Sequence, residues 1–133
     1  MPIVGLDHVG IAVSATADLP LARALGGAHA TLVEMPSGVA VGRLGPDARL
    51  ELVTSVRPGS PVERFLERRG PGLHHVALEV DEPLAEVVEQ LRAEGLEPVG
   101  EIEPSSDGRP SVFLHPASTG GVLVELVEGP RPS

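Results

Sequence analysis

Cysteine, lysine, asparagine, tryptophan and tyrosine do not occur anywhere in this chain of 133 residues. Without cysteine there is no disulfide, no thiolate metal ligand and no thiol nucleophile. Without lysine or tyrosine, Schiff-base chemistry and phenolic general-acid chemistry are excluded as well. The only aromatics are Phe65 and Phe113, too few to build a stacking platform for nucleobases. Positive charge is also scarce: all ten basic residues are arginine, and the formal net charge is −9. Such a surface opposes nucleic acid and anionic membranes as partners. It does not oppose an anionic small molecule, because a few arginines or a metal ion can reverse the field locally. No run of about 18 apolar residues occurs, and no basic-then-apolar leader opens the chain. A soluble, cytoplasmic protein is the expectation.

The hydrophobic fraction of 41% and the charged fraction of 22% are those of an ordinary globular protein. The length suits one domain with a sizeable core. Residues Ile3 to Val13 read as a first strand. A short helix is expected from Asp18-Leu19-Pro20 to Leu25, stopped by Gly26-Gly27. Strands then follow at about Ala30–Met35, Val39–Leu44 and Arg49–Thr54, separated by the turns Pro36-Ser37-Gly38 and Gly45-Pro46-Asp47. Ser60-Pro61-Val62-Glu63 has the pattern of a capping box with proline at the first helical position. The helix it starts ends near Arg69, before Gly70.

The second half repeats the plan. Leu73–Val80 reads as a strand, and Pro83–Glu94 as a helix with Leu84, Val87, Val88 and Leu91 on one face. Three strands follow, at Pro98–Ile102, Ser111–Leu114 and Val122–Val127. Pro104–Gly108 reads as a flexible polar turn and Gly129–Ser133 as a frayed tail. The expected architecture is therefore α+β: two pseudo-symmetric βαβββ modules in one domain over residues 1–133. Module one spans about 1–57, the helical linker about 60–69, and module two about 72–128.

The repeat is also visible residue by residue. Leu6-Asp7-His8-Val9-Gly10-Ile11-Ala12-Val13 lies over Leu73-His74-His75-Val76-Ala77-Leu78-Glu79-Val80. Both alternate with period two. One face carries Val9, Ile11 and Val13, or Val76, Leu78 and Val80. The other carries His8, Gly10 and Ala12, or His75, Ala77 and Glu79. Small residues beside a histidine leave space for a ligand. A single such histidine is more simply a strand-end residue, but the same histidine in both copies favours function. By the same parity His74 faces the core, and His29 and His115 read as surface or loop histidines.

The closing strands echo each other too, Leu50-Glu51-Leu52-Val53 against Val124-Glu125-Leu126-Val127. Each glutamate sits on the face opposite its bulky neighbours. His8, Glu51, His75 and Glu125 thus form two His/Glu pairs, which curved sheets would bring together in a cup. Two imidazoles and two carboxylates suit Zn, Co, Ni or Mn better than Ca or Mg. Two positions of an octahedral ion stay open for a substrate that chelates through two oxygens.

The chain resembles the vicinal oxygen chelate superfamily and, within it, the methylmalonyl-CoA epimerase family. The likeness is carried by Leu6 to Val13, by Ser60-Pro61 with Phe65-Leu66-Glu67, and by Gly70 through Gly72-Leu73-His74-His75-Val76-Ala77. It continues in His115-Pro116-Ala117-Ser118-Thr119-Gly120-Gly121-Val122-Leu123-Val124-Glu125-Leu126. The resemblance implies a divalent metal held by His8, Glu51, His75 and Glu125, an acyl-CoA substrate and a homodimer. It implies proton abstraction alpha to a thioester, with Glu125 as ligand and base.

The family's second catalytic glutamate lies in a Glu-Gln-Gly turn before the third strand. Here that segment is Met35-Pro36-Ser37-Gly38, so Glu34, the nearest carboxylate, or a water takes the second role. Ser118 and Thr119 are placed to meet a polar substrate, although Gly120-Gly121 beside them equally suits a tight turn. The alternatives are a glyoxalase-type isomerase with the same metal logic, or a non-catalytic small-molecule-binding protein of the same fold.

Overall fold

A computed structural model describes residues 2–14, 20, 24 and 32–131. The helix expected from Asp18 to Leu25, its Gly26-Gly27 stop, His29, and the start of the strand expected at Ala30 lie outside the described residues, apart from Pro20 and Ala24 themselves. The elements are β1 (Ile3–Ala12), β2 (Val33–Glu34), β3 (Val39–Leu44), β4 (Leu50–Ser55), α1 (Pro61–Arg69), β5 (Gly72–Val80), α2 (Leu84–Ala93), β6 (Pro98–Pro104), β7 (Pro110–Leu114) and β8 (Val124–Glu128). A 3-10 turn covers Pro116–Ser118. No helix among the described residues is long and apolar enough to cross a membrane. This is an α+β arrangement, a mixed set of strands in two similar halves, in line with the plan that the resemblance implies.

The chain forms two compact units, residues 8–74 and residues 1–7 with 75–133. Their boundaries fall inside β1 and β5 rather than at the helical linker. The reason is that α1 belongs to the first unit. Its Val62, Phe65 and Leu66 pack on Ala12, Val39, Val41 and Val53, which gives a helix of nine residues the tertiary support it needs. Ser60 caps it by accepting from Glu63 N at 3.0 Å, while the Glu63 carboxylate accepts from Gly59 N at 3.0 Å. The glutamate thus reaches one residue further back than a standard capping box, which ties the incoming turn to the helix.

In the first unit the strands run β2-β3-β4-β1. β1 pairs parallel with β4, with Gly10 opposite Glu51, and β3 pairs antiparallel with β4, with Arg43 opposite Glu51. Directly paired residues share a face. Glu51 therefore shares its face with His8, Gly10, Arg43, Val41 and Val53. Leu44, Leu52, Ile11 and Val13 build a separate apolar cluster on the other face.

The second unit runs β5-β8-β7-β6, with Ala77 opposite Glu125 and Phe113 opposite Glu125. On its other face Val80, Val112, Leu114 and Leu126 pack against Leu84, Val87, Val88 and Leu91 of α2, the four residues whose helical spacing marked them as core.

Two loops differ from expectation. The segment after β6 is not a loose turn: Ser105 N donates to Arg109 O, Gly108 N donates to Ser105 O, and Ser105 Oγ bonds Asp107 at 2.7 Å. The tail beyond β8 is anchored as far as it is described. Gly129 N donates to Val80 O at 2.8 Å, and Arg131 Nε lies 3.4 Å from Asp7. Backbone bonding in one case and an ion pair in the other supply what hydrophobic patterning does not report.

Candidate metal centre

In the first unit, parallel pairing of β1 with β4 sets His8 diagonally beside Glu51. Both are buried, and His8 Nε2 lies 3.3 Å from Glu51 Oε2. The same carboxylate oxygen lies 3.1 Å from Arg43 Nε, and Arg43 Nη1 donates to the Ala48 carbonyl at 3.1 Å. Ala48 adopts φ of 54° in the β3–β4 turn, which presents that carbonyl to the guanidinium.

In the second unit β5 and β8 repeat the arrangement. His75 and Glu125 are buried, with His75 Nε2 3.7 Å from Glu125 Oε1. Phe113 meets the His75 ring edge-on, centroids 5.6 Å apart at 86°. That contact fixes the ring plane while leaving Nε2 directed at the carboxylate.

The donor chemistry fits a divalent ion. Two ligand atoms each about 2.1 Å from one ion lie about 3.0 to 3.5 Å apart in octahedral or tetrahedral arrangement. The two His–Glu separations, 3.3 and 3.7 Å, fall within a few tenths of an ångström of that range. His8, Glu51, His75 and Glu125 are thus arranged as two matched half-sites.

Glu34 is placed differently. It is exposed on β2, where it pairs with Ala40, and Ala40 pairs with Thr54. By register this set alternates with the one containing Glu51, so Glu34 lies on the opposite face of its unit from His8 and Glu51. Met35, whose N–H donates to Val39 O, joins the apolar cluster under α1.

The Ser118 hydroxyl donates to His115 O at 2.7 Å and accepts from Glu97 N at 3.3 Å. The Thr119 hydroxyl is engaged with the carbonyls of Pro116 and Val122. Both side chains therefore help to close the turn around Gly120 and Gly121. His115 is an exposed N-cap that accepts from Ala117 N at 3.1 Å. His74 is half-buried, with its ring 5.0 Å from that of Phe65.

Sequence reading missed three residues at or near these pairs. Arg43 and Phe113 occupy the same register position, one opposite Glu51 and the other opposite Glu125, but unequal hairpin lengths hide this in the linear sequence. Asp7, the neighbour of His8, is fully buried in the second unit. Arg109 Nη2 lies 2.9 and 3.1 Å from its two oxygens and 2.8 Å from Asp107 Oδ2. Burial pushes the Asp107 carboxyl up, but the bonds from Arg109 and Ser105 outweigh it and bring the carboxyl down to about 2. Burial lowers the Arg109 guanidinium, and its bonds to Asp107 and Asp7 more than restore it, to above its ordinary value.

Comparison with known proteins identifies the family to which the chain belongs. Residues 7–113 match the profile of the Glyoxalase/Bleomycin resistance protein/Dioxygenase superfamily. Human mitochondrial methylmalonyl-CoA epimerase is 36% identical over 130 residues, covering 91% of this chain and 72% of the human protein. The crystal structure of methylmalonyl-CoA epimerase from Mycobacterium tuberculosis superposes with a TM-score of 0.77 at 31% identity, covering 98% of this chain and 91% of that one. A variant of the Streptomyces coelicolor epimerase in complex with 2-nitronate-propionyl-CoA gives a TM-score of 0.80 at 29% identity, covering 97% and 99%. Matched in sequence along nearly its whole length and in fold throughout, the chain belongs to the methylmalonyl-CoA epimerase family of the vicinal oxygen chelate superfamily.

Proposed function

We propose that this protein is a metal-dependent epimerase that interconverts the stereoisomers of methylmalonyl-CoA, or of a close 2-substituted acyl-CoA. The observation that carries the reading is a buried His–Glu pair occurring twice in equivalent register. Its relatives of known name act on this substrate class. His8, Glu51, His75 and Glu125 would together hold one Co, Zn, Ni or Mn ion, with each imidazole offering Nε2 and keeping its proton on Nδ1. When bound, the ion supplies Lewis-acid stabilisation of the negative charge that develops on the thioester oxygen.

The chain's own part is to remove and return a proton. Glu125 is a buried carboxylate beside His75 and, in this reading, takes the alpha proton from one face of the substrate. Glu34 or a water returns a proton to the other face, and the β2–β3 register favours the water. Ser118 and Thr119 would meet the CoA arm. A hydroxyl that already donates to a backbone carbonyl can still accept, so the N–H groups of the pantetheine chain are their suitable partners. A homodimer accompanies the reading.

The test is proton NMR of racemic methylmalonyl-CoA in deuterium oxide, with cobalt-loaded protein and a chelator-treated control. Metal-dependent loss of the alpha-proton signal is expected, abolished by Glu125→Gln and retained by Glu34→Gln. Normal metal loading without exchange would overturn the epimerase reading. It would mean that the site serves another oxygen-chelating substrate, which glyoxalase and small-molecule-binding assays would then identify.

A further inference from the structure

The two half-sites differ at one equivalent place. Opposite Glu125 on the neighbouring antiparallel strand stands Phe113; opposite Glu51 stands Arg43. Phe113 meets the ring of its histidine partner edge-on. Arg43 instead puts a permanent positive charge 3.1 Å from Glu51 Oε2, the oxygen that His8 also approaches at 3.3 Å. The guanidinium is held there from behind by the Ala48 carbonyl and is about one-fifth exposed. By distance its contact with Glu51 is an ion pair.

We propose that Arg43 is a positioning residue that competes with the divalent ion for Glu51. This rests on the metal reading given above. Two effects act in the same direction. A guanidinium at ion-pair distance neutralises the negative charge that Glu51 would offer to an ion. It also repels a dication a few ångströms away, and inside a protein that repulsion is far stronger than in water. Glu51 is buried, so solvent screens neither effect well. Glu51 is therefore the weakly committed ligand and Glu125 the strong one. The metal-free protein keeps a neutralised carboxylate at Glu51 rather than a bare buried charge, which would be costly. The duplicated half-sites have thereby diverged, one apolar and one carrying its own counter-ion.

The test is the affinity for Co(II), read by competition with a chromophoric chelator and by the visible spectrum of the bound ion. It compares the intact chain with Arg43→Met, Arg43→Phe, which copies the other half-site, and Arg43→Lys. Removing the charge is expected to tighten binding by about tenfold or more, whereas lysine stays within about threefold of the parent. Circular dichroism and a melting curve confirm that each variant is folded, and methionine substitutes for phenylalanine should the ring not fit. Equal or weaker binding by a folded Arg43→Met protein would overturn the inference while leaving the metal reading intact, provided that His75→Ala abolishes binding to the parent. Absence of Co(II) binding from the parent and every variant would overturn the metal reading itself.

Discussion

Asp7 precedes a proposed metal ligand, yet its side chain serves a different purpose. It points to the face opposite His8 and is fully buried against Arg109 and Arg131. Replacing Arg109 by methionine takes away the guanidinium that lies 2.9 Å from the buried Asp7 carboxylate. A buried pair broken from one side costs about 3–5 kcal/mol, and urea unfolding of Arg109→Met should show a loss in the lower part of that range. Asp107 gives the same cluster a pH signature. Its folded value of about 2 lies below that of an unfolded aspartate, so its contribution is complete above about pH 4 and is lost as the pH falls toward 2. Stability of the parent measured against pH should therefore decline across that window more steeply than that of Asp107→Asn. None of this was readable beforehand: nothing local to Asp7 announces a partner 102 positions away.

Elements were more legible than individual contacts, for a physical reason. Turn chemistry and apolar period are local properties, and here they agree with the tertiary fold. The period of Leu84, Val87, Val88 and Leu91 located α2 and its buried face, and Ser60 with Gly70 bracketed α1. Leu91→Ala should cost about 2–5 kcal/mol as a cavity opens against β7 and β8. Ser60→Ala should cost about 1 kcal/mol through loss of the cap. Thermal or urea melts resolve both values. Pairing register was less legible, because it depends on where each hairpin closes. The Pro36-Ser37-Gly38 turn sets Val33 opposite Val41, and this sends Glu34 to the face away from Glu51. Counting residues from a motif finds the nearest carboxylate; only the ladder tells which way it points. The same limitation concealed the equivalence of Arg43 and Phe113.

At the scale of the whole molecule, the question is what duplication accomplishes. One His–Glu pair supplies two ligands, whereas zinc-like ions in proteins take three or four. If the pairs act jointly, the protein takes up one ion per chain, and either His8→Ala or His75→Ala removes nearly all of it. If they act separately, each substitution removes half, and two weakly held ions remain in the parent. Equilibrium dialysis with elemental analysis distinguishes these outcomes, and the joint result is expected. The melting temperature offers an independent check. An ion at about one hundred times its dissociation constant adds about 2.7 kcal/mol to stability, which for a chain of this size corresponds to roughly 10 °C. Cobalt should raise the parent's melting temperature by that order, and a chelator should reverse it. On the joint reading, the rise should be lost with either histidine variant alone.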